Sequence, residues 1–261
     1  MRLCLAAVPA AALALLACTT GTPARPPTVS APDSVAIRLA ERRRIAQERL
    51  LNDWASLSRY RASNDSLPPP APGENRVVYI GDSITESWAA FFPALFPGRP
   101  YVARGISSQT TPQILVRFRQ DVVQLRPKVV VILAGTNDIA GNTGPSSPEM
   151  IEHNLASMAE IARANGIRVV LSSVLPAYDY PWKRGLDPAP KIVSLNDWMR
   201  RYAEGNGMVY LDYHSAMADA RGGLRAELTS DGVHPNAAGY AVMAPLAEAA
   251  IARALSLPPR R

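Results

Sequence analysis

The 261-residue sequence predicts an α/β protein built as a three-layer αβα sandwich around a central parallel sheet of about five strands. Short β-branched apolar runs alternate with segments of helical spacing, which gives βαβα order. Some runs are apolar at every position, Val129-Val130-Val131-Ile132-Leu133 most plainly, as a strand covered by helices on both faces requires. Hydrophobic residues make up 48% and charged residues 19%. That balance suits a globular core and excludes a wholly disordered chain.

The elements follow in order. Residues 1–17 read as a secretory signal: Arg2 precedes an apolar run, Leu3 to Leu16, too short to cross roughly 30 Å of hydrocarbon as a helix. The segment Leu15-Leu16-Ala17-Cys18 resembles a bacterial lipoprotein signal, which implies cleavage before Cys18 and a lipid on its sulfur. Leu16 departs from the smaller residue usual there. The expectation is an exported protein of the bacterial cell envelope, lipid-anchored and facing the periplasm, with a soluble secreted form as the alternative. Cys4 falls within the removed segment, so one thiol remains and no internal disulfide is possible. Residues 18–32, rich in Thr, Pro, Ser and Ala, read as a tether. Apolar positions from Val35 to Tyr60 at three- to four-residue spacing predict an amphipathic helical extension over 33–66, ended by Pro68-Pro69-Pro70. Its run Arg42-Arg43-Arg44 reads as a solvated face.

Residues 67–261 form the main domain in this reading. They carry 19 basic and 17 acidic side chains, so the net charge of +6 is not concentrated there and no nucleic-acid partner is expected. Strands are predicted at Val77–Ile80, Tyr101–Ala103, Val129–Ala134, Arg168–Ser173 and Met208–Leu211. Helices are predicted near 112–125, 148–165, 190–205 and 236–255.

Ligands of such sheets bind beyond the carboxyl ends of the strands. Gly81-Asp82-Ser83 follows the first strand, Arg104-Gly105 the second, Gly135-Thr136-Asn137-Asp138 the third, and Asp231-Gly232-Val233-His234 comes late in the chain. Ser83 is the candidate nucleophile, because a serine in a turn between strand and helix exposes its hydroxyl. A hydroxyl needs a base, and of the three histidines only His234 has a carboxylate, Asp231, three residues before it. Asp138 is a rival partner for that ring. Asp82 reads as organising the turn, His214 near Asp212 as structural, and His153 as part of a solvated helix face.

These four blocks resemble the SGNH hydrolase family, also called GDSL esterases and lipases, over about residues 76–255. The resemblance implies the flavodoxin-like SGNH fold, with Ser83 as nucleophile, His234 as base and Asp231 as its partner. It also implies an oxyanion hole made by the Ser83 and Gly105 backbone N–H groups and the Asn137 side chain. Ile84 replaces the usual Leu, and Ala103 stands where many members have Asn. The stretches GDSITESW, RGISSQTTPQ and LAGTNDIAG look most like the lysophospholipase-like and platelet-activating-factor-acetylhydrolase-like branch.

The function expected is a serine esterase acting on a short-chain acyl ester or a lysophospholipid-like ester, with carbohydrate O-deacetylation as the alternative. A catalytically inactive glycan-binding module is the rival from another class, and the filled motif positions count against it. The sequence has no HExxH, paired CxxC, Walker loop or GxSxG, so no metal and no cofactor are expected. The oligomeric state stays open. The long stretch Pro176 to Pro190 is expected to border the site, with Tyr178, Tyr180 and Trp182 lining an acyl pocket or stacking on a sugar.

Overall fold

A computed structural model describes residues 34–257, so the signal, the tether and Cys18 lie outside the described residues. The chain divides into two units between Arg44 and Ile45. Helix α1 (Ser34–Asn52) runs across that division. The single helical extension expected over 33–66 is corrected: α1 stops at Asn52, residues 53–60 form a strap of turns, and α2 (Arg61–Ser66) follows. The break lies at Asp53. Its carboxylate accepts the Leu57 N–H at 2.6 Å, the Ser58 N–H at 2.9 Å and the Ser58 hydroxyl at 2.7 Å. Such local side-chain bonds compete with helical ones, and Ser56 between them adopts a left-handed φ of 55°.

From residue 77 the predicted alternation is present. In chain order come β1 (Val77–Gly81), α3 (Ser83–Trp88), α4 (Phe92–Leu95), β2 (Tyr101–Gly105), α5 (Thr111–Asp121), β3 (Val129–Leu133) and α6 (Thr136–Ile139). They are followed by α7 (Pro148–Ala164), β4 (Arg168–Ser172), α8 (Pro188–Gly205), β5 (Val209–Leu211), α9 (His214–Met217) and α10 (Ala237–Ser256). Among the described residues the strands form one five-stranded sheet, every pair parallel, in the order β2-β1-β3-β4-β5.

Period-two geometry divides the core into two layers. Val78, Ile80, Val130 and Ile132 pack with Ile114 and Phe118 of α5 and Leu155 and Met158 of α7. Their neighbours Val77, Tyr79, Val129 and Val131 face the other way, onto Trp88 of α3 and Tyr240 and Met243 of α10. Full burial of each such side chain contributes about 1.5–3 kcal/mol, which explains why β3 has no polar position.

Helix boundaries follow from local chemistry. Thr110 and Gln113 form a reciprocal capping box at the start of α5. Ser147 caps α7 ahead of Pro148, and Asn236 caps α10 by accepting the Gly239 N–H. Because β1 lies between β2 and β3, the chain leaves the carboxyl ends of β1 and β3 toward opposite sides of the sheet. That is the topological switch point, and Asp82-Ser83 and Asn137 both sit there.

Candidate active site

Ser83 is the first residue of α3, directly behind β1. Its turn depends on Gly81, where a Cβ would lie 2.5 Å from the Thr85 hydroxyl and closer still to the Leu133 carbonyl. Asp82 caps α3, its carboxylate accepting the Ile84 N–H at 3.0 Å. Ser83 Oγ lies 2.9 Å from His234 Nε2, although 151 residues separate them. His234 Nδ1 lies 2.7 Å from Asp231 Oδ2, and Asp231 Oδ1 accepts the His234 N–H at 2.8 Å and the Val233 N–H at 2.9 Å. Burial pushes the Asp231 carboxyl upward, but these donors and the imidazole outweigh it and hold the group below its ordinary value. The ring is therefore oriented by a carboxylate that stays ionised.

Thr229 locks this turn. Its hydroxyl donates to the His234 carbonyl at 2.7 Å and accepts the Gly232 N–H at 3.0 Å. Gly232 takes a φ of 85°, which favours glycine.

Gly105 sits where β2 meets the first turn of α3. A Cβ there would overlap Glu86 N and lie 2.6 Å from the Asp82 carbonyl oxygen, so only glycine lets the two backbones approach. The peptide joining Arg104 to Gly105 is held from its carbonyl end by Arg117, whose Nη1 donates to the Arg104 oxygen at 2.8 Å. The same fully buried guanidinium donates to the Gly81 carbonyl at 2.8 Å, to Gln109 Oε1 at 2.6 Å and to Asp121 at 3.0 Å. Burial pulls the Arg117 pKa down, and Asp121 opposes that pull. Sequence reasoning passed over Arg117 because a helical arginine looks like a solvated one.

Asn137 Nδ2 donates to the Gln109 carbonyl at 3.1 Å and, more weakly, to Asp82 Oδ2 at 3.3 Å. Asn142 fixes the amide orientation by donating to Asn137 Oδ1 at 2.7 Å, and accepts the Trp182 indole N–H at 3.2 Å. Burial raises the Asp82 pKa to about 7. Asp138, the rival partner for His234, is engaged elsewhere: its carboxylate accepts the Thr111 N–H and the Thr111 hydroxyl, the latter at 2.6 Å, at the start of α5. Burial likewise raises its pKa, to about 6. Asp212 pairs with Arg200 at 3.0 Å rather than with His214.

A cleft of about 830 Å³ opens over Ser83 and His234, within the usual range for small-molecule sites. Trp182 lines it, 6.0 Å from the His234 ring. The expectation for its neighbours is corrected. Tyr180 is fully buried, bonded to Thr136 and stacked beneath Trp182 at 5.1 Å, so it supports the indole and does not face the cleft. Tyr178 borders a separate groove of about 390 Å³ with Arg221 over its ring. The reason is a tight turn: the Lys183 N–H donates to the Tyr180 carbonyl at 3.0 Å, so the chain reverses between the two rings and they do not share the face that an extended run would give them. A wall that the sequence did not reveal comes from the strap, whose Trp54 lines the cleft. Among the described residues no cluster of three or more His, Cys, Asp or Glu side chains is placed to hold a metal.

Fold and site together define a parallel-sheet α/β protein with a hydrogen-bonded Ser–His–Asp line at the switch point of its sheet. The chain belongs to the GDSL-like Lipase/Acylhydrolase family, whose model matches residues 79–242, and that membership implies hydrolysis of esters. A GDSL-like lipase from Bacteroides thetaiotaomicron is 45% identical, superposes with a TM-score of 0.75, and is covered over 100% of its length by 77% of this chain. Esterase TesA from Pseudomonas aeruginosa is 26% identical over 175 residues, 61% of this chain and 79% of TesA. The lipoprotein YqeF from Bacillus subtilis is 30% identical over 128 residues, 46% of this chain and 42% of YqeF.

Proposed function

We propose that the chain is a serine carboxylic-ester hydrolase in which Ser83, His234 and Asp231 act as a catalytic triad. The continuous line of contacts, 2.9 Å from Ser83 to His234 and 2.7 Å on to Asp231, carries this reading. Ser83 Oγ attacks the ester carbonyl while His234 Nε2 takes its proton. The oxyanion is held by the Ser83 and Gly105 N–H groups and by Asn137 Nδ2, whose longer bond to Asp82 is the one the oxyanion replaces. His234 then protonates the departing alcohol, leaving an acyl group on Ser83, and water activated by the same imidazole hydrolyses it. With its pKa near 7, Asp82 is partly protonated at neutral pH, which lessens its repulsion of the developing negative charge.

Short-chain acyl esters and lysophospholipid-like esters, the substrates of the branch that the motifs resemble, fit this chemistry. Removal of O-acetyl groups from glycans is the second reading, favoured by the polar residues Ser107, Ser108, Asn142 and Thr143 that line the cleft. The direct test is hydrolysis of p-nitrophenyl esters of rising acyl length, acetylated sugars and a lysophospholipid by wild type and Ser83→Ala. The variant is expected to lose on the order of 10³ to 10⁶ in kcat while remaining folded. Retention of more than about a tenth of the activity would remove Ser83 as nucleophile.

The same proposal places the enzyme in the cell envelope, anchored through a lipid on Cys18. The lipoprotein-like segment at Leu15 to Cys18 supports this, as does the name of YqeF. Palmitate is expected to label the wild type and not Cys18→Ser, which should leave the membrane fraction. Equal labelling of both forms would refute the anchor.

A further inference from the structure

We infer that the strap over residues 53–60 is a recognition element of the active site, and that it extends the cleft into a groove for the sugar chain of an acylated oligosaccharide. This rests on the esterase reading and names the substrate class for it. Three observations carry it.

The strap is a built wall and not a loose arm. Gln113 and Gln109 donate to the Trp54 and Ala55 carbonyls at 2.7 and 2.8 Å, and Gln120 donates to the Leu57 carbonyl at 2.8 Å. The Tyr60 hydroxyl donates to the carbonyl of Gly105, and Ala55 is buried. Ordering a segment costs roughly 1–2 kcal/mol per residue in backbone entropy, so these anchors fix the Trp54 backbone beside the cleft.

The Trp54 side chain, in contrast, is 40% exposed, and it lines the same cleft as Trp182, which is 45% exposed. An indole of this kind presents a flat apolar face while its rim stays wet, which suits the C–H face of a sugar ring.

Beyond the strap the cleft continues. A second groove of about 500 Å³ shares Asp53, Ser56, Ile106 and Ser107 with the first, and adds Ser58, Arg59 and Glu86. Ile106 is its one apolar member. A lipid chain laid there would cover the Arg59–Glu86 pair, 2.9 Å apart, and the Ser58 and Ser107 hydroxyls that donate to Asp53 and Glu86, stripping water from these charged groups without replacing its bonds, at a desolvation cost. The hydroxyls of a glycan would bond to them. Trp54, which lines the reacting cleft on the strap whose Asp53 and Ser56 border both grooves, is therefore a specificity-determining residue.

The test compares kcat/KM on p-nitrophenyl acetate, acetylated xylose and acetylated xylotetraose for wild type, Trp54→Ala and the bulkier Trp54→Leu, with Tm measured for each. Wild type should favour the tetramer over the monosaccharide ester by about tenfold or more. Trp54→Ala should cut the ratio of tetramer to p-nitrophenyl acetate by a similar factor, chiefly through KM, at an unchanged Tm. Ratios within about twofold of wild type in both variants would overturn the proposal, as would a lysophospholipid hydrolysed better than any sugar ester. If wild type cleaves p-nitrophenyl acetate through Ser83 while these ratios stay flat, the glycan groove alone falls. If no ester is cleaved, the esterase reading falls and the groove with it.

Discussion

The turn from Thr229 to Pro235 and the strap over residues 53–60 border one cleft but are held at opposite scales of sequence. In the turn, Asp231 reaches the His234 ring three residues away, and Thr229 reaches the His234 carbonyl five away. In the strap, the anchoring glutamines lie 54 to 63 residues from the carbonyls they hold. A turn closed by neighbours costs little loop entropy and takes shape almost by itself. The strap closes a long loop, and it can settle only after β1, β2 and α5 have assembled the surface that receives it. The contrast separates the Asp231–His234 pair, which is encoded locally, from the shape of the cleft, which is assembled from distant parts.

The largest effect that would sharpen this contrast is kinetic. Asp231→Asn should reduce kcat by about 10⁴, as when the orienting carboxylate of a serine triad becomes an amide, while the denaturation midpoint moves little because the turn is small and partly exposed. A kcat within about tenfold of wild type would show that the ring is oriented by something other than Asp231.

Acid should open the same turn late. The Asp231 pKa is depressed by its donors, so the stability it contributes is present above the unfolded value near 4 and is lost as pH falls through the lower folded value. The carbon signal of the Asp231 carboxyl should therefore keep its ionised shift down to about pH 4 and titrate only below it. A titration midpoint of that carboxyl above about 4 would contradict the assignment.

The smallest effect concerns the strap. Gln120→Ala combined with Tyr60→Phe removes two anchors that lie outside the cleft, each bond contributing about 0.5–1.5 kcal/mol. Amide exchange at Leu57 and Ser58 should quicken by on the order of tenfold, with β3 amides unaffected. Equal exchange in both proteins would mean that the Asp53 bonds hold the strap unaided, and the contrast drawn above would fail.

Much of the candidate site was legible because its residues stand in short blocks. Gly81 to Ser83 and Asp231 to His234 carry their geometry within three or four residues, and the all-apolar β3 announced its two covered faces. Less legible was whatever depended on facing. Tyr180 and Trp182 are two positions apart in one aromatic loop, yet one is buried under Thr136 and the other faces the cleft. Arg117 reads as a solvated helical side chain and is instead wholly buried, tying the Gly81 carbonyl to that of Arg104. The expected long helix broke at Asp53 because a carboxylate captured two backbone amides, a choice that propensity alone does not foresee.

The sequence by itself determined the parallel α/β architecture and the strand positions, and it singled out Ser83, His234 and Asp231 as candidates, because periodicity and turn chemistry act between near neighbours. Only the tertiary structure decided that Ser83 meets His234 across 151 residues, that Asn137 meets Asp82 across 55, and that Trp54 closes one side of the cleft. Those contacts join segments far apart in the chain, and the folded sheet alone sets the distances between them.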